Sequence, residues 1–256
     1  MKDLELNNIS LIMSSSLVIL TILISYWQKL KLEKDVIISV LRATIQLIIV
    51  GMVLDFIFGY DNPIFTSLLL LFMTFNAAYN ASKRGASIEN KFPISFVSII
   101  LGLIITLSIL LLSGTIKYRP QEIIPIAGMI LGNSMVATGL CYNSLLQKFK
   151  DKKEEVETKL SLGADTKLSS INIIRDSIKT GMIPSIDSAK TLGIVTLPGM
   201  MSGLILAGVN PSQAIKYQLM VTFMLLATTS ITSICVCYLS YKYFFNERKQ
   251  VVEIKN

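Results

Sequence analysis

The sequence contains no histidine. That removes the commonest transition-metal ligand and the usual switch near neutral pH. Its three cysteines, Cys141, Cys235 and Cys237, all lie in apolar runs, so no disulfide framework is implied. Charge is scarce, at 16% of residues against about a quarter in a soluble domain. There is no G-x-x-x-x-G-K-[ST] loop, and no Gly-Lys dipeptide at all, so ATP phosphates are not cradled here by the P-loop route. There is no H-E-x-x-H cluster and no pairing of nucleophile with base, which argues against an enzyme. The start, MKDLELNN, is as acidic as it is basic, and no A-x-A site follows its apolar run, so no cleavable leader is expected.

What is abundant is apolar sequence. Of 256 residues, 52% are hydrophobic. Phe92 to Ser113 carries no charge, and at helical rise it spans roughly 33 Å, enough for a hydrocarbon core of about 30 Å. The expected class is all-α, a polytopic membrane protein in one domain over residues 1–256. Seven spans are expected: Ile9–Tyr26, Val36–Phe58, Pro63–Tyr79, Phe92–Ser113, Ile123–Tyr142, Leu192–Ala207 and Ile215–Leu239. The net charge of +7 reflects loop orientation rather than nucleic-acid binding. With the N-terminus outside, the inside loops and tail collect nearly all the Lys and Arg. Only Lys2, Lys117, Arg119 and Lys216 fall outside, and Arg42 lies within the second span. The C-terminus and the polar insert 143–191 are then cytoplasmic.

The insert reads as two amphipathic helices. Glu154, Glu155 and Glu157 suit a first turn. Gly163 suits a helix stop, and Asp165 or Thr166 a cap for the next helix. Leu168, Ile171, Ile174, Ile178 and Met182 then recur at helical spacing. Such helices lie on a membrane surface or dock a protein, and the acidic cluster favours a protein over an anionic bilayer. The sixth segment is interrupted by Pro198-Gly199, and broken spans often mark a transport path. Gly128/Gly132 and Gly199/Gly203 make G-x-x-x-G steps that would allow close helix approach.

Polar groups within spans are few. Arg42 and Gln46 are one turn apart, as are Asn76 and Asn80, and Asn133 lies deeper. Arg42 either snorkels to the interface or faces the bundle interior. The amides either bind helices together or line a path. Met129, Met135, Met200 and Met201 either fill space or offer thioethers to a soft metal. The spans hold almost no carboxylate relay for proton coupling. A docking insert without an internal motor therefore points to a motor on another chain.

In ETKLSLGAD, Glu157 stands six residues before Gly163, the spacing of the Glu-Ala-Ala…Gly loop in ATP-binding-cassette (ABC) permeases, with Thr158 and Lys159 in place of the alanines. LRATIQLIIVG, MTFNAAYNASKRG, PIAGMILGNSMVATGL, IRDSIKTGMIPSID and TLPGMMSGLILAG together resemble the FetB-type permeases, bacterial iron exporters akin to plant aluminium-tolerance subunits. The resemblance implies a non-catalytic permease in the inner or plasma membrane, present as a homodimer and paired with a separate ABC ATPase. ATP and magnesium would sit on that partner, and this chain would bind no cofactor. It further implies a coupling helix at Glu154, Glu157, Lys159, Leu160, Gly163, Ala164 and Asp165, docking through residues 154–183, and iron or a metal chelate as cargo. By analogy with the plant relatives, the cargo could instead be a nucleotide sugar. A stand-alone carrier or channel, or a scaffold, is the rival reading. Pathway candidates are Arg42, Gln46, Asn76, Asn80, Asn133, Pro198, Met200 and Met201.

Overall fold

The computed structural model describes residues 13–60, 62–85 and 88–252. Their regular structure is helical, with two isolated β-bridges. The chain forms two compact units, Met1–Tyr60 and Asp61–Asn256.

The first unit holds α1 (Ser16–Trp27) and α2 (Glu33–Tyr60). Their connection is tied by Ser25. Its hydroxyl donates to Glu33 Oε1 at 3.0 Å and accepts the Leu32 N–H at 3.2 Å. Lys29 and Lys31 sit at φ of 53° and 60°, which lets the chain reverse within five residues. The expected first span, Ile9–Tyr26, begins outside the described residues.

The second unit holds α3 (Pro63–Ser82), α4 (Lys91–Leu112), α5 (Pro120–Asp151), α6 (Lys153–Ser161), α7 (Thr166–Thr191), α8 (Gly199–Leu206) and α9 (Pro211–Ser240). A 3₁₀ turn at Tyr241–Phe244 follows. Helices α3, α5 and α9 all start on proline, whose missing N–H costs nothing in a first turn. Asn62 and Asn210 cap two of them, each accepting a backbone N–H at 2.9 Å, from Ile64 and Ser212.

Among the described residues five helices, α2, α3, α4, α5 and α9, are long and apolar enough to cross a membrane. They coincide with the expected second, third, fourth, fifth and seventh spans. The expected sixth span is not a continuous helix. The chain turns through Gly193 at φ +78° and bridges Leu192 to Thr196. Pro198, extended and without an N–H, starts an eight-residue helix that ends at Leu206.

The insert differs more from expectation. Its first helix, α6, is short, but α7 runs 26 residues, about 39 Å, antiparallel to α5 and packed on both α5 and α9. It is therefore a wall of the bundle and not a surface-lying loop helix. Of the expected face, Ile174 is buried and Ile178 packs on the core, but the buried stripe is centred elsewhere. Leu168 is 62% exposed, while Ser169, Ser170, Ile173, Ile174, Ser177 and Gly181 are buried. Small side chains win because they let α7 approach its neighbours closely. A Cβ at Gly181 would lie 2.5 Å from Cys141 Sγ and 2.6 Å from Ser233 Oγ. Gly102 plays the same part between α4 and α9, where a Cβ would meet Thr232 Oγ1 at 2.6 Å. The G-x-x-x-G glycines do not. Gly132, Gly199 and Gly203 have open space beyond the Cα, and Gly128 touches only Met73 at 3.5 Å.

The core has two apolar clusters. One gathers Ile99, Leu103, Ile123, Ile130 and Met224 from α4, α5 and α9. The other, at the insert end, gathers Tyr142, Leu145, Phe149, Val156, Ile174 and Phe244. Cysteine and tyrosine aside, every buried polar side chain among the described residues is serine or threonine.

Candidate functional site

At the insert end, α6 follows α5 after one residue, Lys152. Val156 is its anchor, 1% exposed in the second cluster. Around that anchor the helix is charged. Lys159 pairs with Glu155 at 2.5 Å, and Lys153 with Glu157 at 3.9 Å. The hydrogen bond from Lys159, reinforced by its charge, holds the Glu155 carboxyl below the usual carboxylate range. That contribution to α6 is present above the ordinary carboxylate pKa. It is lost only as pH falls through the lowered one.

The helix stops as its sequence dictates. Gly163 takes φ +92°, and Gly163 and Ala164 donate N–H bonds back to Leu160 and Lys159, both at 3.0 Å. Asp165 then caps α7, its Oδ1 accepting from the Leu168 N–H at 2.6 Å. Asp165→Ala removes this cap and is expected to cost about 1 kcal/mol, read as faster amide exchange in the first turn of α7. The structure thus gathers Glu154, Glu157, Lys159, Leu160, Gly163, Ala164 and Asp165 into one helix–turn unit. Leu162, at 82% exposure, forms its apolar tip.

The sequence reading missed what stands opposite. The segment after α9 folds back, with Phe245 bridging to Val251 and Asn246 N–H bonded to Gln250 O at 2.9 Å. It is pinned by Phe244 stacked on Phe149, ring centres 4.2 Å apart. Between it and α6 lies a polar groove of about 830 Å³, with Lys153, Glu157 and Gly163 on one side and Arg248, Lys249 and Gln250 on the other. The available signal was the Phe244-Phe245 pair and the Val251-Val252 pair on either side of the polar stretch NERKQ.

A second hollow, of about 430 Å³, lies between α5, α7, α8 and α9. Asn133, Pro198 and Met200 meet there, joined by Met129, Ser188 and Gln218. Met201 is half-buried on α8 and does not line it. Asn76 and Asn80 lie along one face of α3, where each amide donates to a carbonyl of its own helix, Phe72 O at 3.1 Å and Asn76 O at 2.9 Å. Arg42 and Gln46 are exposed on α2 in the first unit. Among the described residues no cluster of three or more acidic or cysteine side chains could hold a metal ion.

A bundle of apolar spans with a charged helix–turn unit at one end defines a multi-pass α-helical membrane protein. The chain belongs to the UPF0014 family, "Uncharacterised protein family (UPF0014)", whose model matches residues 8–245. It is 54% identical to the "Probable iron export permease protein FetB" of Escherichia coli (strain K12), over 98% of this chain and 97% of that protein. It is 39% identical to the "UPF0014 membrane protein YjkA" of Bacillus subtilis (strain 168), over 95% and 97%. To the "Protein ALUMINUM SENSITIVE 3" of Arabidopsis thaliana it is 36% identical, over 91% and 86%. No solved structure matches the chain.

Proposed function

We propose that the chain is the permease subunit of an ABC transporter that exports iron, as ion or chelate, and that a separate ATPase docks on α6 and the start of α7. The observation that carries this reading is the course of α7. It is capped by Asp165, in the helix–turn unit, and its far end lines the 430 Å³ hollow at Ser185, Ser188 and Ala189. A push on α6 is therefore delivered by a packed helix about 39 Å long to the place where cargo would sit. Helix α5 runs between the same two places, from Met129 and Asn133 at the hollow to Asp151 beside α6. Lys148, near the end of α5, and Asp176, near the middle of α7, lie 3.7 Å apart and tie the two helices.

The iron cargo is supported by the name of the Escherichia coli relative, a probable iron export permease. The separate motor is supported by the missing Gly-Lys loop. The distribution of Lys and Arg supports a cytoplasmic α6, where ATP is available. A homodimer supplies the second half of the path. Each chain would then present one α6 to one ATPase, and closure of two ATPases on ATP would draw the two α6 helices together.

The test is ATPase activity of the chain reconstituted with a co-expressed soluble ATPase and titrated with iron, other metals, chelates and nucleotide sugars. Stimulation by iron or its chelates is expected. Stimulation by a nucleotide sugar alone replaces the cargo. Transport by the chain with neither ATPase nor ATP moves the reading to a stand-alone carrier. Arg42→Ala is expected to lower transport in the same vesicles, and an unchanged rate places Arg42 at the lipid interface instead.

A further inference from the structure

Gln218 lies on α9 at the wall of the 430 Å³ hollow. Its Oε1 is buried and accepts no hydrogen bond from any described residue. A buried amide oxygen left empty is costly, and such an acceptor in a cavity wall is poised for a donor carried by a ligand. The rest of the lining is neutral. Asn133, Ser185, Ser188, Thr196 and Thr222 supply amide and hydroxyl groups, while Pro184, Leu192, Val221 and Leu225 supply apolar surface. The nearest charges on α7, Asp187 and Lys190, satisfy each other at 3.0 Å and are not in the wall.

A neighbouring hollow of about 460 Å³ does carry charge, from Lys117, Arg119 and Glu122. Met129 and Met200 line both spaces, so two flexible thioether chains are the partition between a charged vestibule and the neutral chamber.

A chamber of this kind is a poor host for a naked iron ion. An iron ion stripped of water needs carboxylate or imidazole ligands to compensate, and the lining offers neither. The volume falls within the usual 300–1,000 Å³ of small-molecule sites. Building on the permease reading, we infer that the chamber binds iron only when it is already wrapped in a small, uncharged organic shell, and that an N–H or O–H on that shell donates to Gln218 Oε1. The thioethers of Met129 and Met200 then move aside to pass an apolar-edged complex rather than to bind metal.

The experiment is equilibrium dialysis of the detergent-purified full chain. The probes are the neutral iron(III) tris-complex of acetohydroxamate, whose ligands keep an outward N–H, and that of N-methylacetohydroxamate, which has none. Free acetohydroxamate and iron(II) alone serve as controls. The N–H complex is expected to bind, with the N-methyl complex weaker by about tenfold or more, as befits a lost donor to a buried acceptor. Gln218→Leu is expected to abolish that difference. Ser188→Leu, at an exposed position that tolerates the change, is expected to reduce both by filling the chamber. Equal binding of the two complexes, tight binding of iron(II) alone, binding of free acetohydroxamate alone, or a preference that survives Gln218→Leu overturns the inference. So does an absence of binding in a chain that still co-purifies with its ATPase. Binding of the complex by a chain that recruits no ATPase overturns the permease reading and leaves the chamber standing.

Discussion

Gly181→Val is expected to destabilise the bundle by about 3 kcal/mol, the upper range for overpacking a tight core. The site is the meeting point of three helices. A Cβ there falls 2.5 Å from Cys141 Sγ on α5, 2.6 Å from Ser233 Oγ on α9 and 3.2 Å from the Ala137 carbonyl oxygen. The thiol and the hydroxyl could rotate away from a lone methyl group, but the carbonyl is backbone and stays. Valine adds two methyl groups beyond the Cβ, and one must meet what the first displaced. The gain in helix propensity over glycine is only a few tenths of a kcal/mol and does not offset this. Gly132→Val is the control, since a Cβ at Gly132 meets nothing within 4 Å. Unfolding of both variants in mixed detergent micelles, followed by helical signal, separates the two. Equal stability would show that α7 does not rest against α5 and α9 at this level.

The second large effect belongs to the helix–turn unit. Glu157→Lys with Gly163→Pro is expected to abolish co-purification of the ATPase while leaving the spans folded. Proline fixes φ near −65°, whereas Gly163 needs +92°, so the turn cannot form as it stands. Proline also removes the N–H that Gly163 donates to Leu160. Lysine at 157 breaks the pair with Lys153 and replaces it with repulsion, on the side of α6 that faces the groove. Neither residue is fully buried, so the apolar spans lose little. Unchanged ATPase recovery would remove α6 from the docking site. The tail opposite then becomes the place to look, with Arg248→Glu and Lys249→Glu as the next variants.

Residue by residue, legibility followed the size of the side chains that carry each feature. Long uninterrupted apolar runs such as Phe92–Ser113 declare themselves, and α4 forms where they predict. Local backbone chemistry was equally readable. Gly163 stops α6 and Asp165 caps α7, because both effects act within a few residues. The placement of α7 was not readable. Its buried stripe holds Ile173 and Ile174, but also Ser169, Ser170, Ser177 and Gly181, residues that a hydrophobic periodicity does not register. The larger Leu168 caught the eye and is exposed. The same bias misdirected the glycines, since Gly181 and Gly102 sit in no G-x-x-x-G step and make the close contacts. In the chamber, Asn133, Pro198 and Met200 stood out as oddities within apolar runs. Gln218 sat at the polar shoulder of the last span, and its orphaned oxygen is visible only in the folded chain.

The buried hydroxyls set how this bundle can move. Thr106 and Thr228 are 2.6 Å apart between α4 and α9, and Thr232 donates to Ser134 at 3.2 Å between α9 and α5. A short hydroxyl side chain on a helix can turn instead to the carbonyl one turn back on its own helix, as Thr229 does with Leu225 at 2.8 Å. Where that exchange is open, a helix can slide by a fraction of a turn and let go of its neighbour while the hydroxyl keeps a partner. Amides or ion pairs in the same seam would lock like teeth. Serines and threonines behave as a lubricated bearing, and a device that must cycle between two arrangements of its helices is best built on one.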